Sequence, residues 1–154
     1  MASGDDEGRV VVWEALSAEE YRKRGAFEQP EEGPCTGVAM RGGRLVAAFS
    51  SGQLRFFCLQ RMQPWLCVQA HSRFVSALTL HASRGIFATA AEDATVHVWS
   101  LPRVDAKAQV LLSGTWVDQM VTGVAFGSDD SVVAAAYDCD DLFVWCPPLP
   151  RTER

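Results

Sequence analysis

Short apolar runs, separated by polar turns, follow one another along most of this chain. Residues 74–113 show the pattern most clearly, in the runs FVSALTL (74–80), IFATA (86–90), TVHVW (95–99) and AQVLLS (108–113). Gly, Ser and Asp occupy the turns between them, and β-rich runs bounded by such turns are typical of strands. This segment therefore predicts four antiparallel strands in one meander.

The same pattern recurs on both sides of that segment. The copy before it reads CTGVAM (35–40), RLVAAF (44–49), QLRFFC (53–58) and WLCVQ (65–69), and the copy after it reads VTGVAF (121–126), SVVAAAY (131–137) and LFVWC (142–146). The third strands end in Trp13, Phe57, Trp99 and Trp145, which are 44, 42 and 46 residues apart. A period of this length indicates a repeated supersecondary unit. Because both faces of these strands are apolar or small, we expect the sheets to stack on one another.

The repeats divide the chain into units. An incomplete unit at 1–33 is followed by complete units at 34–70 and 71–114, an incomplete unit at 115–146 and a polar tail at 147–154. These units contain two, four, four and three predicted strands. The one helix candidate is SAEEYRKR (17–24), where Ser17 and Glu20 have the spacing of a capping box. We interpret that segment as a polar excursion between the strand that ends near Trp13 and a second strand near AFEQ (26–29), with one helical turn at most. The alternative is a helix that binds a partner.

Four residues of the third unit resemble the motif of a known family. His71 precedes the first strand, Thr89 lies in the second, Asp93 lies in the following turn and Trp99 ends the third. This arrangement resembles the WD-repeat family, although Ala70 and Ser100 replace the Gly and Asp of its motif. The resemblance implies an all-β WD-repeat β-propeller with blades of four-stranded antiparallel sheets. It also implies that His71, Thr89, Asp93 and Trp99 form a hydrogen-bonded set inside their blade.

The strand count bears on the completeness of the ring. Thirteen strands make about three blades, whereas a closed propeller has at least four. We therefore interpret the chain as a fragment of a larger ring, and we expect the missing blades to be encoded upstream of Met1. The alternative is the assembly of partial rings.

Composition and charge narrow the class of partner and the compartment. A net charge of −5, with RKR (22–24) as the densest basic run, argues against nucleic-acid binding. No apolar run approaches the length of about 18 residues that a membrane helix needs, and MASGDDEGR lacks the features of a signal peptide. Five Cys residues without a C-x-x-C pair argue against zinc and favour a reducing compartment. We therefore expect a cytoplasmic protein, with the nucleus as the other option.

Candidate catalytic and metal residues have simpler structural interpretations. His71, Thr89 and Asp93 contain the groups of a catalytic triad, but in a propeller they satisfy one another inside the blade. The acidic runs at 5–7 and 138–141 lack the spacing of a calcium loop and suit turns. The innermost strands VSALTL and VTGVAF offer few polar side chains to a central channel. We therefore predict no catalytic residue, no metal and no cofactor.

The resulting functional prediction is a non-enzymatic scaffold that binds a protein or peptide. The alternatives are an enzyme that uses the central channel, and a truncated gene model without function. Loops that enter a first strand or join a second strand to a third emerge on one rim of a propeller. That geometry places Gln53, Ser72, Arg73 and Glu92 close together as a candidate partner-binding rim, and Arg is enriched at binding hot spots.

Overall fold

The computed structural model describes residues 1–146, and the predicted polar tail at 147–154 lies outside them. The first seven strands are β1 (Ala2–Gly4), β2 (Arg9–Ala15), β3 (Tyr21–Glu28), β4 (Cys35–Arg41), β5 (Arg44–Phe49), β6 (Gln53–Cys58) and β7 (Gln63–Gln69). The next seven are β8 (Val75–Leu80), β9 (Ile86–Ala91), β10 (Thr95–Ser100), β11 (Gln109–Thr115), β12 (Val121–Phe126), β13 (Val132–Ala136) and β14 (Leu142–Trp145). A 3-10 turn at Pro30–Glu32 is the one helical element in this part of the chain.

The strands form four antiparallel meanders in chain order. Sheet 1 contains β1–β3, sheet 2 contains β4–β7, sheet 3 contains β8–β11 and sheet 4 contains β12–β14. The prediction of an all-β chain of repeated sheets is confirmed. The count of thirteen strands is wrong for the described residues, which contain fourteen, because Ala2–Gly4 pairs with Val10–Val12 as an additional strand. That strand is only three residues long and carries no apolar alternation.

The segment 17–24, interpreted from the sequence as a polar excursion with one helical turn at most, contains no helix. Tyr21–Glu28 is a strand paired with β2, in which Lys23 lies opposite Trp13. The Ser17 hydroxyl accepts a hydrogen bond from the Glu20 amide at 3.1 Å, but this bond closes the turn between β2 and β3. Cross-strand pairing thus overrides the local capping signal, because the sheet satisfies the backbone groups of this segment that a single helical turn would leave unpaired.

The inner strands share one irregularity. The pairing register of β4, β8 and β12 shifts around Thr36, Ser76 and Thr122, each of which is the second residue of its strand. Such β-bulges bend a strand and re-aim the side chain of the extra residue. In sheet 3 the Ser76 hydroxyl donates to the Val121 carbonyl at 2.6 Å and so links sheet 3 to sheet 4.

Three apolar layers hold the four sheets together. Phe49 and Phe57 lie between sheets 1 and 2, Phe56 and Phe87 lie between sheets 2 and 3, and Val98 lies between sheets 3 and 4. Every residue from 45 to 49 is fully buried, so β5 packs on both faces as its sequence predicted. Burial of a large apolar side chain stabilises a fold by roughly 1.5–3 kcal/mol, so these layers make the stack a firm support for its loops.

Candidate functional site

The four motif residues of sheet 3 form a chain of hydrogen-bonding contacts in the order Asp93, His71, Thr89 and Trp99. His71 Nε2 lies 2.8 Å from Thr89 Oγ1, and Trp99 Nε1 donates to the same oxygen at 2.9 Å. His71 Nδ1 lies 3.2 Å from Asp93 Oδ1. His71 and Thr89 are buried, and β9 and β10 place Thr89 and Trp99 on the face of sheet 3 that packs against sheet 2.

The donors in this set impose a direction on its hydrogen bonds. The indole of Trp99 can only donate, so the Thr89 oxygen accepts from it and the Thr89 hydroxyl hydrogen remains for His71 Nε2. His71 Nδ1 then carries the ring hydrogen and donates it to Asp93. The imidazole is therefore neutral, and both of its nitrogens are engaged inside the blade.

Electrostatics agree with this assignment of protons. The pKa of His71 is lowered to about 4, chiefly by burial and with a smaller contribution from the neighbouring His97, against the opposing effect of Asp93. Burial alone would raise the pKa of Asp93, but hydrogen bonds from Thr95, Ser72 and His71 lower it overall. The pair at neutral pH is accordingly a neutral imidazole and a carboxylate.

Asp93 also organises the loop before β8. Its Oδ2 accepts a hydrogen bond from the Ser72 amide at 2.9 Å, and its Oδ1 accepts one from the Thr95 amide at 3.1 Å. The Glu92 amide donates to the Phe74 carbonyl at 3.0 Å. Two loops that are distant in sequence are thereby joined at one rim of the stack.

Sheet 1 repeats part of this set, which the sequence analysis missed. Trp13 Nε1 donates to Ser3 Oγ at 3.0 Å, as Trp99 donates to Thr89. Ser3 precedes Trp13 by ten residues and Thr89 precedes Trp99 by ten residues, so the spacing alone could have identified the pair.

Sheet 2 replaces the set with residues of different chemistry. The sequence indicated no counterpart of His71 there, but Glu32, buried in the connection before β4, accepts a hydrogen bond from Ser51 Oγ at 2.8 Å and from Arg55 Nε at 3.2 Å. Ser51 and Arg55 precede Phe57 by six and two residues, as Asp93 and His97 precede Trp99. An acid thus takes the place of His71, and its partners are a hydroxyl and a guanidinium.

A second polar cluster lies on the opposite rim. The ring of His81 accepts hydrogen bonds at Nδ1 from the Ser83 and Arg84 amides, at 3.2 and 3.1 Å, so Nε2 donates to Asp130 Oδ1 at 2.7 Å. Arg84 also pairs with Asp130, which belongs to sheet 4. This cluster links the sheet 3 and sheet 4 loops.

The predicted rim residues are placed as follows. Arg73 and Glu92 line one open cleft of about 380 Å³ between sheets 3 and 4, together with Asp93, Ala94, Asp118, Gln119 and Met120. Ser72 borders it through its bond to Asp93. Gln53 is not part of this lining, and its Oε1 lies 2.6 Å from Cys67 Sγ on sheet 2. Two of the four predicted residues thus line the cleft, and Ser72 adjoins it through Asp93.

Metal and membrane features are limited in the described chain. Among residues 1–146, no three His, Cys, Asp or Glu side chains are grouped to hold a metal ion. Over the same residues, no helix has the length and apolar character needed to cross a membrane.

Comparison with known proteins extends these observations. The model of the WDR54 family matches residues 1–142. WD repeat-containing protein 54 of Mus musculus is 34% identical over 104 residues, which cover 67% of this chain and 30% of the relative. The WD repeat domain 54 protein of Rattus norvegicus is 32% identical over 106 residues, with the same coverage. The matched part of this chain thus spans less than a third of these relatives.

Solved structures agree on the fold. The designed protein Ika4 superposes with a TM-score of 0.74 at 21% identity, over 94% of this chain and 82% of that one. The designed protein Ika8 gives a TM-score of 0.71 at 22% identity, over 94% of this chain and 42% of that one. Both are β-propellers, which confirms the predicted fold. The match over residues 1–142 then establishes that the chain belongs to the WDR54 family of WD-repeat proteins.

Proposed function

We propose that this chain is a non-enzymatic scaffold whose rim between sheets 3 and 4 binds a protein or peptide partner. The observation that carries the proposal is the hydrogen bonding of Asp93, which ties the loop of Ser72 and Arg73 to the loop of Glu92. A loop held in one conformation loses less entropy when it binds. Membership of the WD-repeat family supports a scaffold role.

The geometry of two histidines favours a scaffold over an enzyme. Both ring nitrogens of His71 and both ring nitrogens of His81 are hydrogen-bonded within the protein. A general base needs a nitrogen within reach of its substrate. We therefore propose structural roles for His71, Thr89, Asp93 and Trp99, and we propose no catalytic residue, metal or cofactor.

We further propose that additional sheets complete the ring. Leu142 and Val144 are 64% and 56% exposed on the face of sheet 4 turned away from sheet 3. Contiguous exposed apolar surface of this kind usually marks an interface. Sequencing of the transcript upstream of Met1 tests this proposal, and an in-frame stop codon directly before Met1 would contradict it.

We also propose that the protein acts in the cytoplasm. Fluorescence imaging of the tagged protein tests this location.

A charge-swap experiment tests the binding rim. The double variant Arg73→Glu, Glu92→Arg reverses both rim charges while conserving net charge, so it should lose the partners that the unmodified protein recovers in a pull-down. The matched control is Arg61→Glu, Asp105→Arg, which reverses an exposed ion pair of 3.0 Å elsewhere on the surface. Equal recovery of the same partners by all three proteins, at equal thermal stability, would reject this rim as the binding surface.

A further inference from the structure

The rim cleft exists because the connection into sheet 4 differs from the connection into sheet 3. In the connection into sheet 3, the His71 amide donates to the Gly52 carbonyl at 3.1 Å. This connection lies so close to Gly52 that a Cβ on that residue would be 2.3 Å from the His71 carbonyl oxygen. Ala94 holds the equivalent position, five residues before the terminal aromatic, with a φ of 65°. The Trp116 amide bonds to the Ala94 carbonyl at 2.9 Å, and the chain then turns at Asp118 with a φ of 60°. The connection into sheet 4 therefore leaves open space above Ala94, whereas the connection into sheet 3 fills the equivalent space above Gly52.

The charged groups of the cleft differ in how they are engaged. The Asp93 carboxylate is occupied by Ser72, Thr95 and His71. For the carboxylates of Glu92 and Asp118, residues 1–146 provide no ion pair, and Asp118 is exposed. Two carboxylates are therefore open to an external cation beside the single guanidinium of Arg73.

Apolar surface adjoins these carboxylates. Met120 lines the cleft and is 38% exposed, and Val117, next to Asp118, is 71% exposed. Methionine adapts its shape to varied apolar groups, so it suits a surface that receives a side chain from another molecule.

We propose that the cleft binds a protein segment in which a basic side chain stands next to an aliphatic one. Glu92 and Asp118 pair with the cation, Met120 contacts the aliphatic group, and the Arg73 guanidinium binds carbonyl oxygens of the same segment. The inference rests on the proposed scaffold function and adds the chemistry of the partner. Because the carboxylates are near the surface, salt should weaken the interaction.

Selection from a phage-displayed library of random dodecapeptides tests the proposal. The immobilised wild-type chain is compared with the variant Glu92→Gln, Asp118→Asn, and with the control Glu19→Gln, Asp105→Asn, which removes two exposed carboxylates outside the cleft. We expect the wild type and the control to enrich the same peptides, with Lys or Arg beside Leu, Ile, Val or Met. The cleft variant should not enrich them. A synthetic, fluorescein-labelled copy of the most enriched peptide should bind the cleft variant at least tenfold more weakly.

The outcomes separate this inference from the proposed function. The wild type could instead enrich acidic or uncharged peptides that the variant Arg73→Glu, Glu92→Arg does not bind. That result would overturn the inference of a basic segment but would still support the proposed binding rim. Peptides retained by every cleft and rim variant would overturn both. An affinity for the basic peptide that is unchanged between 50 and 500 mM NaCl, a range across which the Debye length shortens about threefold, would also refute the charge pairing.

Discussion

Replacement of Thr89 and Trp99 by the residues that sheet 2 uses at the same positions tests how the motif stabilises sheet 3. Thr89 accepts from Trp99 Nε1 and donates to His71 Nε2, and all three groups are buried. Sheet 2 has Ala47 and Phe57 at the two positions, so its interior contains neither the acceptor nor the donor. The variants are Thr89→Ala, Trp99→Phe and their combination.

The magnitudes follow from which buried groups lose a partner. Thr89→Ala leaves the Trp99 donor and the His71 acceptor unpaired, at about 1–3 kcal/mol each, so we expect a loss of roughly 2–6 kcal/mol in the free energy of unfolding. Trp99→Phe removes the donor and leaves a smaller ring in its place. In the double variant no indole is left unpaired, so the two losses should fall short of additivity by about 1–2 kcal/mol.

Urea denaturation followed by far-UV circular dichroism measures these free energies without relying on the fluorescence of the altered Trp. Ala88→Gly, on the opposite face of β9, serves as a control that disturbs the strand without touching the polar set. Additive losses within about 0.3 kcal/mol would refute the view that the hydrogen bond between Trp99 and Thr89 stabilises the blade. A Thr89→Ser variant should recover most of the stability, since it keeps the hydroxyl.

Three other predictions concern the same framework. Burial lowers the pKa of His71 to about 4 from an ordinary 6.5, so the unfolded chain binds more protons than the folded chain between these two pH values. The stabilisation is therefore fully present above pH 6.5. The free energy of unfolding should fall by about 3 kcal/mol as the pH is lowered to 4. The lowered pKa of His97 acts in the same direction below pH 6.5, whereas that of Asp93 lowers stability only as pH falls below its ordinary value of 3.8. A urea midpoint that does not move between pH 7 and 5 would contradict the prediction for the two histidines. Ala94→Gly should raise stability by about 1 kcal/mol because the left-handed conformation disfavours a Cβ, and a lowered melting temperature would count against it. Gly114→Ala should lower the free energy of unfolding by about 1–3 kcal/mol, since the new Cβ would lie 1.4 Å from the Trp145 ring and displace it. The fluorescence of Trp145 should shift to the red, and unchanged emission would show that the ring does not pack against Gly114.

Local pattern was sufficient to predict the repeat and most strands. The runs at 44–49, 53–58 and 121–126 have the same bounds in the sequence prediction and in the structure, because each lies between turn residues that end a strand in any context. The mutual contact of His71, Thr89, Asp93 and Trp99 was implied by their resemblance to the WD-repeat motif, and it holds because strand pairing within a meander converts fixed sequence distances into fixed positions.

Only the tertiary structure decided the features that depend on contacts between sheets. The sequence predicted a strand near residues 26–29, and pairing with β2 extends that strand back to Tyr21. Ala2–Gly4 is also a strand because it pairs with β2, although its three residues carry no apolar alternation. Glu32 occupies the place of His71 in sheet 2 through a connection of different length, which no motif spacing anticipates. The cleft beside Glu92 and Asp118 arises from the path of residues 116–120 over Ala94. Alternation specifies which face of a strand is buried, but the neighbour against which it packs is set by the arrangement of the whole stack.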